Sequence, residues 1–436
     1  MILRARLLLP VAGRPVHNAC VHIHRGRVVS IIPFGPSHRH RRDVIDLGEM
    51  AVIPGLVNAH CHLDYTDMAG QFRPPKVFSD WLKLITEAKS GWNLKDYSTS
   101  WQQGARMLLR TGTTTVGDIE AVPQLLPDAW DTSSLRVVSF LEMIAISPKS
   151  SPVQIVDDAR RHACLHPHRY SRGGISPHAP YSTTPELLRL AAAAASTFEL
   201  PMSIHVAESG MEFEMFMQGK GLMFEWIKRS GRSMSDCGNG SPIRHLERCG
   251  ILGSRTIAVH ANYLARGDTA ILARTGTHVA HCPRSHHYFG HDPFPLRKLA
   301  NARVNICLGT DSLASVCKTA GAPLELSMFE ELRSLDGAHP GLRPETILRM
   351  ATINGARALG KQGSAGQLSE GSFADLVAIP WSGTDADFME HLVNDAPKPA
   401  GVMIGGTWVE GDLRRTHPPT SDTPDADPPG AIHSSQ

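Results

Sequence analysis

The alternation of apolar and polar positions divides the chain into a long middle and two similar ends. In the middle, short apolar runs rich in β-branched residues alternate with stretches whose apolar positions recur at helical spacing. The strand-like runs cover 52–64, 113–118, 135–143, 174–178, 202–205, 256–260, 278–281 and 304–311, and the helical stretches include 79–90, 98–110, 185–196, 211–230 and 344–359. Eight strands alternating with helices over about 300 residues predict an α/β fold, a parallel (β/α)8 TIM barrel whose strand C-termini carry the active site. A doubly wound open sheet fits the same alternation. It would more usually bring a Gly-rich phosphate loop, and neither G-x-G-x-x-G after the first strand nor a P-loop is present.

The ends carry a different pattern. Residues 1–53 read as short strands with turns at Gly13-Arg-Pro15 and Arg25-Gly-Arg27, and strands broken by glycines return at 371–380 and 402–410. The two ends therefore predict one composite β-sandwich domain, 1–53 with 360–412, flanking a barrel at 54–359. Residues 413–436 are rich in Pro, Ser, Thr and Asp, cannot bury enough apolar surface to order themselves, and predict a disordered tail.

Chemistry gathers at the strand ends. Val52-Ile-Pro-Gly-Leu-Val-Asn-Ala-His-Cys-His-Leu-Asp64 ends in His60 and His62, which share one face of a strand while Cys61 takes the other. A His-x-His alone is weak, since surface histidines fall at this spacing by chance. Here, however, His178, His205, His260, His281 and Asp311 close further strands, and a barrel gathers those ends around one axis. Three histidines and an aspartate, His60, His62, His205 and Asp311, offer nitrogen and hard oxygen donors that suit one divalent ion, Zn²⁺ first and Fe²⁺ second. His205-Val-Ala-Glu208 adds a carboxylate just beyond a ligand, placed to carry a proton from water activated by the metal to a leaving group. The bland alternative is a Glu208 that only caps the next helix.

Composition narrows the field by exclusion. A formal net charge of +2 leaves no electrostatic footprint for nucleic acid or an anionic membrane, and the basic run at 38–42 is short and isolated. No run is long and apolar enough to span a bilayer. The eight cysteines form no Cys-x-x-Cys and several lie in strand-like runs, as expected of reduced thiols in a cytoplasmic protein. The apolar N-terminus is followed at once by hairpin character, which reads as a mature start rather than a signal peptide.

The motifs Pro54-Gly-Leu-Val-Asn-Ala-His-Cys-His-Leu63, Gly112-Thr-Thr-Thr-Val116, Ser176-Pro-His-Ala-Pro-Tyr181, His205-Val-Ala-Glu208, His260-Ala-Asn262, His281-Cys-Pro283 and Leu308-Gly-Thr-Asp-Ser312 together resemble the amidohydrolase superfamily, in its cytosine deaminase and S-adenosylhomocysteine deaminase branch. The resemblance spans residues 1–412. It implies the barrel with its terminal β domain, one metal held by His60, His62, His205 and Asp311, and a proton shuttle at Glu208. It also implies that His260 orients the attacked group, that Asp311 doubles as base, and that His178 lines the pocket. Two-metal branches close the fourth strand with a carboxylated lysine where this chain has His178, which favours a single ion. After strand seven the relatives' usual His-Cys-Pro-x-Ser-Asn gives way to His281-Cys-Pro-Arg-Ser-His-His-Tyr-Phe-Gly-His291. That loop, and the stretch around Phe72 and Trp81, look more like aminodeoxyfutalosine deaminases. They put Arg284, His286, Phe72 and Trp81 forward as substrate-binding residues, with Tyr288 and Phe289 beside them. The expected reaction is deamination of an adenine-type ring on a nucleoside such as aminodeoxyfutalosine, S-adenosylhomocysteine or methylthioadenosine. The alternatives are a related bond in guanine, cytosine, a triazine or a cyclic amide, or a catalytically inactive barrel acting as a scaffold. Expected partners are a small-molecule substrate and water, and a homodimer is compatible with the sequence.

Overall fold

Eight parallel strands, each paired only with its sequence neighbours, make the central sheet of the computed structural model. They are Leu56–Cys61, Thr113–Glu120, Arg136–Met143, Arg172–Pro177, Met202–Val206, Thr256–His260, His278–His281 and Ile306–Leu308. The sheet closes where Asp311 bridges to Cys61, its amide donating to the carbonyl of His60 at 3.2 Å. The predicted barrel is therefore present, built from the eight runs the pattern marked. The description covers residues 1–39, 43–147, 149–164, 168, 170–318, 323–384 and 386–413. Residues 414–436 of the expected tail and 40–42 of the basic run lie outside it.

Along each strand, alternate residues face either the barrel axis or the surrounding helices. In the third strand Val138 and Phe140 join the axial core with Ala59, Val259 and Ala280, while Leu141 and Met143 pack outward with Trp101 and Leu187. Burying such side chains contributes about 1.5–3 kcal/mol each, so this period-two pattern fixes the register of every strand.

Two predicted helices are each broken in two. The stretch 211–230 splits into Gly210–Gln218 and Leu222–Arg229, because Gly219 takes a left-handed φ of 63° and ends the first helix. The stretch 344–359 splits into Pro344–Met350 and Ile353–Ala358 at Thr352, whose backbone leaves helical geometry while its hydroxyl donates to the carbonyl of Leu348.

The terminal strands form one mixed sheet of eight strands in which Met50–Pro54 lies between Ile2–Leu8 and Leu376–Pro380. The sheet curls, with Val28 donating to the carbonyl of Ser372 and Ala374 to that of Gly26, so that Leu3, Val21, Leu376 and Met403 share a core. The expected sandwich is thus a single sheet folded over itself. It is fastened to the barrel by Arg136, at the start of the third strand, whose guanidinium donates to both carboxylate oxygens of buried Asp375 at 2.6 and 2.9 Å. That end lies opposite the strand C-termini, which leaves those termini free for chemistry. No helix among the described residues is long and apolar enough to cross a membrane, and the eight cysteines are unpaired.

Candidate active site

At the C-terminal ends of the strands the chain turns through positions that side chains seldom tolerate. Ala207, His260, Ala261 and Asp311 all take positive φ, between 49° and 70°. Each such residue costs on the order of 1–3 kcal/mol and persists only where its surroundings hold it. Glycine permits the closest approach: a Cβ on Gly309 would lie 2.6 Å from the carbonyl oxygen of His60, so the eighth strand can press against the first only without a side chain there.

These turns bring four imidazoles and a carboxylate together. His62 Nε2 and His205 Nε2 are 3.3 Å apart, and Asp311 Oδ1 lies 3.6 Å from His60 Nε2 and 3.7 Å from His62 Nε2. Ligand atoms of His60, His205 and His260 fall within 4.8 Å of one another, as do those of His60, His62 and Asp311. His260 therefore stands within ligand reach as well as beside Glu208.

Whether this set fits a metal ion can be judged from where each polar atom is already engaged. His205 Nδ1 faces the carbonyl of His178 at 2.9 Å; a carbonyl only accepts, so Nδ1 carries the proton and Nε2 keeps its lone pair. Asp311 Oδ2 accepts from the hydroxyls of Ser285 at 2.6 Å and Ser315 at 3.2 Å, which leaves Oδ1 for the cluster. His60, 1% exposed, has no hydrogen-bond partner at either ring nitrogen. A buried polar group left without a partner is costly, and nitrogens converging at this spacing would find one in a divalent ion. Burial holds the imidazolium forms of His62 and His205 down, with His205 at about 3, so both rings present neutral nitrogens. Burial works against the Asp311 carboxylate, but the imidazoles of His60, His260 and His62 gathered around it outweigh burial and keep the group well below the usual carboxylate range. The donor set fits Zn²⁺ or another borderline divalent ion.

Glu208 stands beside this cluster with Oε1 at 3.6 Å from His260 Nε2. Burial, then the charges of Asp311 and Glu212, raise its carboxyl well above the ordinary range, which favours the proton-holding form. Its position is set by Glu212, a residue the sequence reading passed over. The two Glu212 oxygens accept the amides of Ala207 and Glu208, both at 3.0 Å, and Asn262 donates to the carbonyl of Glu208 at 2.9 Å. The signal was present as Ser209-Gly-Met-Glu212, the S-x-x-E pattern of a capping box, with the Ser209 hydroxyl accepting the amide of Glu212.

The cavity above the cluster is lined by His62, His178, His260 and Glu208, by Glu142 on the third strand, and by Trp81, Leu82 and Ile85 of the helix Phe78–Ser90. At about 60 Å³ it is smaller than the ~300–1,000 Å³ of a usual small-molecule site, so that helix forms a roof. The remaining substrate-binding expectations are distributed unevenly. His178 and Trp81 line the cavity. Phe72 is half-buried and packs behind Trp81 with Tyr65 and Tyr288, while Phe289 meets Trp81 edge to face at 5.1 Å. Arg284 points elsewhere, with Nε 2.5 Å from Glu331 Oε1 and Nη1 3.0 Å from the carbonyl of Glu325. His286 Nδ1 bonds Asn262 Oδ1 at 3.1 Å, and with His281, stacked on Phe294 at 3.8 Å, it lines a neighbouring cavity. Arg284 and His286 thus brace the rim instead of facing the cluster, because each finds its partner in another segment of the fold.

Residues 51–409 match the family described as the Amidohydrolase family. The chain belongs to that family. Among its relatives, this amidohydrolase is 30% identical over 402 residues to a 5-methylthioadenosine/S-adenosylhomocysteine deaminase of Syntrophobacter fumaroxidans, covering 86% of this chain and 82% of the relative. It is 31% identical over 328 residues to an aminodeoxyfutalosine deaminase of Deinococcus radiodurans, covering 71% and 73%. Among solved structures, the zinc-bound crystal structure of an adenosine deaminase from Xanthomonas campestris superposes with a TM-score of 0.81 at 23% identity, covering 95% of this amidohydrolase and 93% of that chain. That last likeness speaks to the fold.

Proposed function

We propose that this amidohydrolase is a metal-dependent aminohydrolase that replaces the ring amino group of an adenine-type nucleoside with oxygen, releasing ammonia. The observation that carries the reading is the buried carboxyl of Glu208, 3.6 Å from His260 and against a cluster of metal-ligand geometry. The relatives' names point to methylthioadenosine, S-adenosylhomocysteine and aminodeoxyfutalosine as the substrate class.

In this reading His60, His62, His205 and Asp311 hold one divalent ion, Zn²⁺ first. When bound, the ion supplies a fixed positive charge that acidifies water and favours its attack at C6 of the ring. Glu208 gives a proton to the ring nitrogen as C6 becomes tetrahedral, recovers one from the attacking water, and delivers it to the departing amine. The C6–N bond breaks as the C6–O bond becomes a carbonyl. His260, with its nitrogen toward both Glu208 and the cluster, orients the attacked carbon and hydrogen-bonds the incoming oxygen. Asp311, with Oδ2 clamped by two serine hydroxyls, keeps Oδ1 aimed at the same point, accepts the water's first proton and returns it to Glu208 as ammonia leaves, so both carboxyls end as they began. Trp81, Leu82 and Ile85 exclude bulk water once the roof helix has admitted the substrate.

The test is ammonia release from a panel of adenine nucleosides, guanine, cytosine and a chlorotriazine, with Glu208→Gln as control. Turnover of the nucleosides is expected, falling about 10²–10⁴-fold in the variant with metal content unchanged. A free base or the triazine giving the highest kcat/KM would overturn the nucleoside reading. Full activity in Glu208→Gln would remove the shuttle.

A further inference from the structure

The cavity contains one carboxylate that the chemistry above does not use. Glu142 is the penultimate residue of the strand Arg136–Met143, and the alternation that turns Val138 and Phe140 toward the barrel axis turns Glu142 the same way. Its side chain is 7% exposed, yet no group among the described residues donates a hydrogen bond to it. The nearest candidate, His178 Nε2, is 3.9 Å away, beyond hydrogen-bond distance. Lys89 is close enough to interact with it electrostatically, but the Lys89 ammonium donates to the Tyr65 hydroxyl and sits over that ring, 4.4 Å from its centroid. A buried carboxylate with open acceptor positions is expensive unless something supplies donors.

Position decides what that donor can be. The reacting end of a substrate must lie by Glu208 and His260, on the fifth and sixth strands. Glu142 stands across the cavity on the third, with His178 between it and the metal-ligand histidine His205, whose ring is centred 4.9 Å from that of His178. When the ring's amino group is at the cluster, Glu142 therefore meets the far end of the molecule, where a nucleoside carries its sugar. None of the residues lining the cavity is Arg or Lys, so this wall offers acceptors and suits a neutral donor rather than an anion. A carboxylate presents two acceptor oxygens, the complement of two adjacent hydroxyls.

From this arrangement we infer that Glu142 is a specificity-determining residue, its carboxylate accepting hydrogen bonds from the 2′- and 3′-hydroxyls of an adenine nucleoside. The inference rests on the deaminase reading, and the experiment separates the two. Steady-state kinetics are compared for adenosine and 2′,3′-dideoxyadenosine with the wild-type protein, Glu142→Gln and Glu142→Ala, with metal content and Tm measured alongside. The wild type is expected to favour adenosine about 10–100-fold in kcat/KM, the worth of hydrogen bonds to a charged group. Glu142→Ala should abolish most of that preference through KM for adenosine, leaving the dideoxy substrate within about 3-fold of wild type; Glu142→Gln, which keeps the shape, should lie between. Equal losses on both substrates, or a wild type indifferent to the hydroxyls, would overturn the inference while deaminase activity stood. Failure of every adenine nucleoside to react would overturn both readings together.

Discussion

Replacing Glu212 by Ala tests whether Glu208, the proposed proton shuttle, is held from behind. Glu212 is fully buried, and its two oxygens take the amides of Ala207 and Glu208 at 3.0 Å. Ala207 sits at a φ of 49°, a conformation that needs such a clamp. Truncation strands two buried N–H donors, each costing about 1–3 kcal/mol, so a total of about 2–6 kcal/mol is expected, toward the lower end if water enters the space. Against a usual domain stability of about 5–15 kcal/mol the protein should still fold. Freed of its clamp, the turn relaxes and carries Glu208 with it; a displacement of about 1 Å at a reacting group is worth about 10²-fold in rate. His205 is fixed separately through the carbonyl of His178, so metal content should persist. The assay pairs calorimetric Tm with metal analysis and steady-state kinetics on adenosine. A fall in kcat with KM and metal preserved is expected, and Glu212→Gln, which retains one acceptor, should recover part of the loss. A kcat within about 3-fold of wild type in Glu212→Ala would refute the reasoning.

Three further outcomes are expected. His205→Ala and Asp311→Ala should each lose the metal, read by mass spectrometry after dialysis, because each removes one of only four proposed anchors; retention of a full equivalent would reassign the ligands. Arg136→Met should lower stability by about 3–5 kcal/mol, since it leaves the Asp375 carboxylate buried without its guanidinium, whereas Arg136→Met with Asp375→Leu should recover much of it. Burial at His245, partly opposed by Asp236, lowers its pKa from 6.5 to about 4. Between those values the unfolded chain binds the extra proton, so this stabilisation is complete above pH 6.5 and is lost as pH falls through 4. Over that range it amounts to about 3 kcal/mol, and His245→Phe should flatten the acid limb of a Tm profile accordingly.

What the sequence made legible was local. The eight apolar runs announced themselves by composition and period, and His60, His62, His205, His260 and Asp311 stood at their ends, where barrel geometry alone brings them together. Arg284 and His286 were also read locally, as polar residues in an unusual loop. Their surroundings are set by Glu331 and Asn262, partners supplied by other segments, and no spacing rule foretells such a pairing. The break at Thr352 was hidden for a similar reason, since helical periodicity runs through it and only docking of the two short helices onto the barrel separates them. Glu142 obeyed the strand-end rule as well as any histidine did, but a lone glutamate in an apolar strand carries no motif.

The order in which the chain leaves the ribosome gives one feature of the fold a consequence for biosynthesis. The strand Met50–Pro54 runs through Gly55 directly into Leu56–Cys61, which ends beside His60 and His62. On one side it pairs with Leu376–Pro380, and the barrel strand it feeds is closed by Asp311. Both neighbours are synthesised hundreds of residues later. Until they emerge, the nascent chain displays two unpaired strand edges, the kind of surface that recruits chaperones or aggregates. Shortened versions ending before Leu376 would keep the edge of Met50–Pro54 open permanently, whereas the barrel edge, and with it the cluster of His60, His62, His205 and Asp311, waits only for residue 311.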